Sequence, residues 1–259
     1  MTKKQKIGYT NNIMYLLFSD INEENKTKAI DSLIKDSTPK ASFFFLVLMS
    51  VLMATFGLLL NNASVIIGSM LIAPILSPIL SFALGITIGD QALGRRSAIT
   101  ILKSFAYSVI ASALTTWLLW GVISGNELVV NYNAEILSRV EPNIVYLFIA
   151  IIAGMATAFA RVKPEMNEAL PGTAIAVALV PPLATIGIGV ATFNLNVISG
   201  ALSLFILNAI GIVVASIVMF SMMNIYSKRS VVKKSLKEAD KEQAALVKKA
   251  EKEKLKNEK

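Results

Sequence analysis

The sequence predicts an all-α integral membrane protein with six transmembrane helices, arranged as a 3+3 inverted repeat in which one helix of each triplet is broken by proline. Three observations predict this. Hydrophobic residues make up 54% of the 259 and the mean hydropathy is +0.63, values typical of polytopic membrane chains. Six apolar stretches each reach the roughly 17–25 residues that a helix needs to cross a bilayer. Two of the six carry prolines, and each of those two is the middle member of three.

The stretches lie at residues 42–60, 63–89, 98–123, 143–160, 170–193 and 197–225. Only the third contains a charge, Lys103, whose long stem can carry its ammonium to the interface. With both termini inside, every one of the 25 Lys and Arg residues except Arg139 falls on the cytoplasmic side, as the positive-inside bias requires. The outer loop at residues 124–142 carries Glu127, Glu135 and Glu141 instead, and the turns at Asn61-Asn62 and Asn194–Asn196 are uncharged. A fold in which the two proline stretches dip in and out of one face would move Arg95, Arg96, Arg161 and Lys163 to the wrong side, and ranks second. The short apolar run at 13–18 precedes Asp20, Glu23 and Glu24, so the first crossing is expected to act as an uncleaved insertion signal.

The two triplets span residues 42–123 and 143–225. Sliding the sequence by 108 residues lays Leu71–Ser77 (LIAPILS) on Leu179–Thr185 (LVPPLAT). Because three crossings is an odd number, the second triplet runs opposite to the first, the layout of many secondary transporters. Pro74 and Pro78 cannot donate to the carbonyls of Met70 and Pro74, and Pro181 and Pro182 leave those of Val177 and Ala178 without their usual donors. Each such break costs about 3 kcal/mol in a helix interior. Ser69, Ser77, Ser81 and Thr185 place hydroxyls beside the breaks. Released carbonyls and hydroxyls suit a cation, and the amides at a half-helix start suit an anion; the commoner use of such hydroxyls is to bond back to their own helix.

Asn208, deep in the last stretch, is an interhelical hydrogen-bonding residue or part of the same site. Small-residue rows at Gly85 and Gly89, at Ala150, Gly154 and Ala158, and at Gly211 and Ala215 let helices approach closely, in the fold or in a homo-oligomer. No Asp or Glu lies at mid-depth, so a carboxylate proton relay inside the bilayer is not expected. The chain contains no Cys and no His, which excludes disulfides and thiol or imidazole chemistry. No enzyme activity, metal site or nucleic-acid partner is expected, and the sequence names no cofactor.

The end segments are residues 1–41 and 226–259. Residues 20–36 read as a short amphipathic helix with Ile21, Ala29, Ile30, Leu33 and Ile34 as its apolar set, expected at the membrane surface. At the entry to the fifth stretch, Glu165, Glu168 and Pro171 fit a helix start. In the basic tail, Val232, Leu236, Ala239, Gln243, Leu246 and Ala250 follow heptad spacing; a polybasic tail touching anionic lipid is the alternative.

The blocks GLLLNNASVIIGSMLIAPILSPILSFALG and PGTAIAVALVPPLATIGIG resemble the two signature blocks of an uncharacterised prokaryotic membrane-protein family, domain of unknown function 389. The resemblance covers about residues 43–225 and implies an integral membrane protein with no established activity. From the residues themselves, the leading expectation is a transporter or channel for a small solute or ion bound between the two broken helices. The second is a non-transporting scaffold or sensor that works through lipid or protein contacts.

Overall fold

A computed structural model of the chain describes residues 22–38, 40–123, 132–163, 165–166 and 178–257. The described residues form α1 (Glu23–Ser37), α2 (Ala41–Leu59), α3 (Ala63–Ile72), α4 (Leu76–Ile88), α5 (Gln91–Ile123), α6 (Ala134–Leu137), α7 (Ile144–Val162), α8 (Val180–Ala191), α9 (Leu195–Met222), a 3-10 turn (Ile225–Lys228) and α10 (Arg229–Asn257), with no strand among them. Helices α2, α5, α7 and α9 are each long and apolar enough to cross a membrane. The bent pair α3 and α4 makes a fifth when taken as one crossing, with an angle of 51° between its halves. The stretch at 170–193 contributes α8, whose 12 residues are too few to cross alone; Val177 and Pro171 lie outside the described residues. The third helix begins seven residues earlier than its apolar stretch, at Gln91, so Arg95 and Arg96 are helical.

One turn design joins three of the helix pairs. At α2–α3 the residues are Gly57, Asn61 and Asn62; at α4–α5, Gly85, Gly89 and Asp90; at α8–α9, Gly189, Phe193 and Asn194. In each, the second residue has positive φ (53°, 70° and 53°). The amide of the third donates to the carbonyl of the first at 2.8–2.9 Å, the bond that closes a helix end. The side chain of the third then accepts from the first turn of the next helix, at Val65, Leu93 and Val197. The glycine is needed because the two helices touch there: a Cβ at Gly85 would lie 2.8 Å from the Gly94 amide nitrogen, and one at Gly189 would lie 2.9 Å from Ile198.

These turns set the register between the two halves of the chain. Pro78 and Pro182, Gly85 and Gly189, and Asp90 and Asn194 are all 104 residues apart, as are the starts of α4 and α8, Leu76 and Val180. By position in their helices, Pro182 corresponds to Pro78 and Thr185 to Ser81, whereas the 108-residue offset pairs Pro182 with Pro74.

Contacts between the ends give each helix a direction. Asn133 bonds to the Leu58 carbonyl near the end of α2, and Tyr132 bonds to Thr192, just past α8. Arg96 on α5 pairs with Asp240 on α10, and Thr100 bonds to Ser37 at the end of α1. Helices α2, α5 and α8 thus run from a basic end, where α1 and α10 sit, towards the end holding residues 132–140. The bent pair and helices α7 and α9 run the other way. Helices α5 and α9 each pack against both half-helices, α4 and α8, and α8 also touches α2 and α3.

Helix α1 differs from expectation. Ala29, Ile30, Leu33 and Ile34 are at most 5% exposed, packed within the protein where α1 meets α4, α5, α7 and α10. The apolar stripe is the one read from sequence; it covers the bundle, so it is not free to lie on lipid. The tail is helical, and Val232 and Leu236 are buried where α10 packs on α1, while Leu246 is exposed.

A close approach between α5 and α8 gives a test. A Cβ at Gly187 would sit 2.4 Å from the Ser112 Cβ, whereas one at Gly94 meets nothing within 4 Å. Gly187→Ala is expected to destabilise the protein by about 1–3 kcal/mol through overpacking, and Gly94→Ala to stabilise α5 by up to about 1 kcal/mol. Thermal unfolding in detergent reads both; equal effects would contradict the packing.

Candidate functional site

A new helix starts within each proline stretch, and Pro78, Pro181 and Pro182 sit where a helix start tolerates them. Pro78 is the third residue of α4; Pro181 and Pro182 are the second and third of α8. The first-turn amides of a helix have no intrahelical partner, so proline forfeits nothing there. The 3 kcal/mol cost of an interior proline therefore does not arise. Pro74 lies between α3 and α4, and its carbonyl, expected to be released, accepts from the Ser77 amide at 3.3 Å. Ala178, in the turn before α8, has φ 46°.

The starts of α4 and α8 fall at matching levels. With Gly85 opposite Gly94, Leu76 stands level with about Lys103 on α5; with Gly189 opposite Ile198, Val180 stands level with about Leu207 on α9. Ser104 and Asn208, the next residues along, are again 104 apart and both buried. Lys103 itself is exposed on the outer face of α5, consistent with a snorkelling side chain.

A row of hydroxyls that the sequence reading passed over runs along α5. Thr100, Ser104, Ser108, Ser112 and Thr116 are spaced four apart, share one helix face and are all at most 4% exposed. The row packs tightly on α8 at Ser112, which donates to the Ala184 carbonyl at 2.7 Å and accepts from Thr55 of α2 at 2.9 Å. Ser108 is fully buried and its hydroxyl has no protein partner. The four-residue spacing was readable in TILKSFAYSVIASALTT, though masked by an apolar background.

Of the hydroxyls read from sequence, Ser69 and Thr185 bond within their own helix, while Ser77 and Ser81 also reach α1. Ser69 bonds to the Ile66 carbonyl, Ser81 to the carbonyls of Ser77 and Leu33, and Thr185 to that of Pro181. Ser50, on α2, bonds to the Ser69 carbonyl at 2.6 Å and so helps close the end of α3. Met70 is 6% exposed, and Pro181, Pro182 and Asn208 are buried. Pro74 and Ser77 are half-buried. The structure thus gathers the two sets of residues around shared walls, α5 and α9, with α8 touching α3; Val177 is the residue it does not describe.

A second polar cluster closes the basic end. Asp36 of α1 pairs with Arg161 of α7, which also donates to Ser32 at 2.9 Å, and the Ser77 hydroxyl at the start of α4 bonds to the same carboxyl. Burial pushes the Asp36 carboxyl above its ordinary value of 3.8, against the pull of Arg161 and Ser77. Elsewhere on this end, Lys228 and Lys26 hold the Glu23 carboxyl down to about 2, and Arg96 holds that of Asp240 low.

Apolar crossing helices around a buried polar seam define a membrane-embedded helical protein. Residues 70–214 match a family described as Domain of unknown function (DUF389), and the chain belongs to that family. It is 30% identical over 177 residues to an uncharacterised protein of Methanocaldococcus jannaschii; the match covers 68% of this chain and 52% of that protein. The chain thus spans about half the length of the curated relative it matches. No solved structure matches it.

The Asp36 cluster predicts a pH dependence. The folded chain binds this proton more tightly than the unfolded chain does, so the contribution to stability is fully present below 3.8 and is lost as pH rises through the raised folded value. Asp36→Asn should flatten the thermal-unfolding profile in that window relative to wild type. Superimposable profiles would contradict the assignment.

Proposed function

We propose that the protein is a transporter or channel for a small solute or ion, with its site between the starts of α4 and α8. The observation that carries this reading is the pair of helices α4 and α8, which begin inside the bundle 104 residues apart, end in the same turn chemistry and run in opposite directions. Helices α2, α3 with α4, and α5 correspond on this reading to α7, the 170–193 crossing and α9, an inverted repeat of three plus three crossings. The exchanged contacts support it: α5 packs on α8 as α9 packs on α4. A rigid helix pair joined to its counterpart across a polar seam is suited to rocking about that seam, which exposes the site to each side in turn.

The basic end, with Arg96, Arg161 and the α10 lysines, is cytoplasmic in this proposal, and the membrane is the cell membrane. The small-residue rows of α7 and α9 are spent on each other inside the chain, so a homo-oligomer is proposed to use other faces, and α10 suits anionic lipid.

Two experiments test the proposal. Proteoliposomes carrying the protein should pass at least one small ion faster than protein-free vesicles, and Pro78→Ala with Pro182→Ala should cut that flux at least about tenfold while the protein stays folded. Unchanged flux in the folded double variant would overturn it. Because the chain has no cysteine, single-cysteine labelling reads the orientation cleanly. Glu135→Cys should react with an impermeant maleimide in intact cells and Lys163→Cys only after permeabilisation; the reverse pattern would invert the assignment.

A further inference from the structure

We infer that the region between the starts of α4 and α8 selects a small monovalent cation, an alkali ion or ammonium, over an anion. The inference rests on the transport reading above and adds the chemistry of the solute. A helix start ordinarily offers several unbonded amides, and these make it an anion site. Here Pro78, Pro181 and Pro182 remove three of them, and the Ser77 amide is spent on the Pro74 carbonyl. Of the four unsatisfied amides at each start, two at α4 and two at α8 are thus removed or bonded, which weakens the positive partial charge of both.

Hydroxyl chemistry points the same way. A serine or threonine has one proton to give and two lone pairs to offer. Ser104 gives its proton to the Thr100 carbonyl, Ser112 to that of Ala184 and Thr185 to that of Pro181. What these side chains leave available is lone pairs. The end of α3 adds carbonyls, among them that of Met70, whose donor position four residues on is Pro74. The hydroxyl row and the end of α3 therefore offer more acceptors than donors, while the Arg161 guanidinium below them is bonded to Asp36 and Ser32.

Ser108 supplies the independent observation. Its hydroxyl is fully buried with no protein partner, and a buried polar group of that kind needs a water or an ion to complete it. It lies one turn, about 6 Å, from Ser112 towards the basic end, which places it level with Val180–Leu183, where α8 starts. The oxygens around Ser108 are neutral, and the Asp36 carboxyl that meets Ser77 at the start of α4 is already paired with Arg161. A divalent ion ordinarily requires carboxylates; a singly charged ion is held by neutral oxygens alone, as in carbonyl-lined filters.

The test uses the purified full chain in detergent. Thermal unfolding is followed while choline chloride is replaced by potassium, sodium or ammonium chloride at constant ionic strength, and separately while chloride is replaced by sulfate or phosphate with choline kept. At least one small cation should raise the midpoint saturably. Ser108→Ala should raise the apparent Kd at least tenfold without lowering the midpoint in choline chloride, because it deletes an unpaired buried hydroxyl. Ser108→Cys keeps the volume and should lose affinity likewise. No difference between the small cations and choline, an unchanged Kd in both variants, or stabilisation that follows the anion would each overturn the inference. Flux of an anion or a neutral solute without any cation effect would sink the inference and leave the transport reading standing. Saturable cation binding with no flux would do the reverse.

Discussion

Backbone groups that leave a helix inside hydrocarbon must find partners within the protein, because lipid offers none. The structure depends on how it meets this constraint at the two interruptions. It meets it by starting new helices: Pro78, Pro181 and Pro182 occupy first-turn positions where a missing amide loses no bond, Ser50 bonds to a carbonyl near the end of α3, and the Ser77 amide takes up the Pro74 carbonyl. Among the described residues the two proline stretches hold one helix end, that of α3, and two helix starts, those of α4 and α8. Their polar groups then have to be faced by something other than lipid, and α5 and α9 supply the facing surface.

That requirement accounts for the composition of α5. A crossing helix in contact with lipid has no use for five hydroxyls in a row, yet Thr100, Ser104, Ser108, Ser112 and Thr116 all point inward. Serine is also small, so it lets α5 and α8 come within contact distance at Gly187. The same residues give close packing and a polar seam. At the basic end, α1 ties the construction together through Ser81, Thr100, Arg161 and Ser235, so a segment outside the crossing helices is coupled to the start of α4.

Much of this was legible in the sequence. Apolar length located α2, α7 and α9 to within a few residues, and the spacing of Ala29, Ile30, Leu33 and Ile34 gave the buried face of α1. An apolar stripe states that a face is covered without saying by what, so α1 was placed on lipid. Identical letters pair Pro74 with Pro182, whereas the turn chemistry of Gly85, Gly89 and Asp90 matches that of Gly189, Phe193 and Asn194 at a different offset, 104 residues, because it encodes geometry and not letters. The partnership of Asp36 with Arg161, 125 residues away, is purely tertiary and has no local signal.

The account stands on helices α4 and α8 starting inside the bundle and facing the α5 hydroxyl row. A structure determined in lipid nanodiscs tests this most directly. It should find α4 starting at Leu76 and α8 at Val180, pointing in opposite directions, with Ser104, Ser108 and Ser112 turned towards them. An unbroken helix through residues 63–88, or an α5 whose serines face lipid, would contradict it.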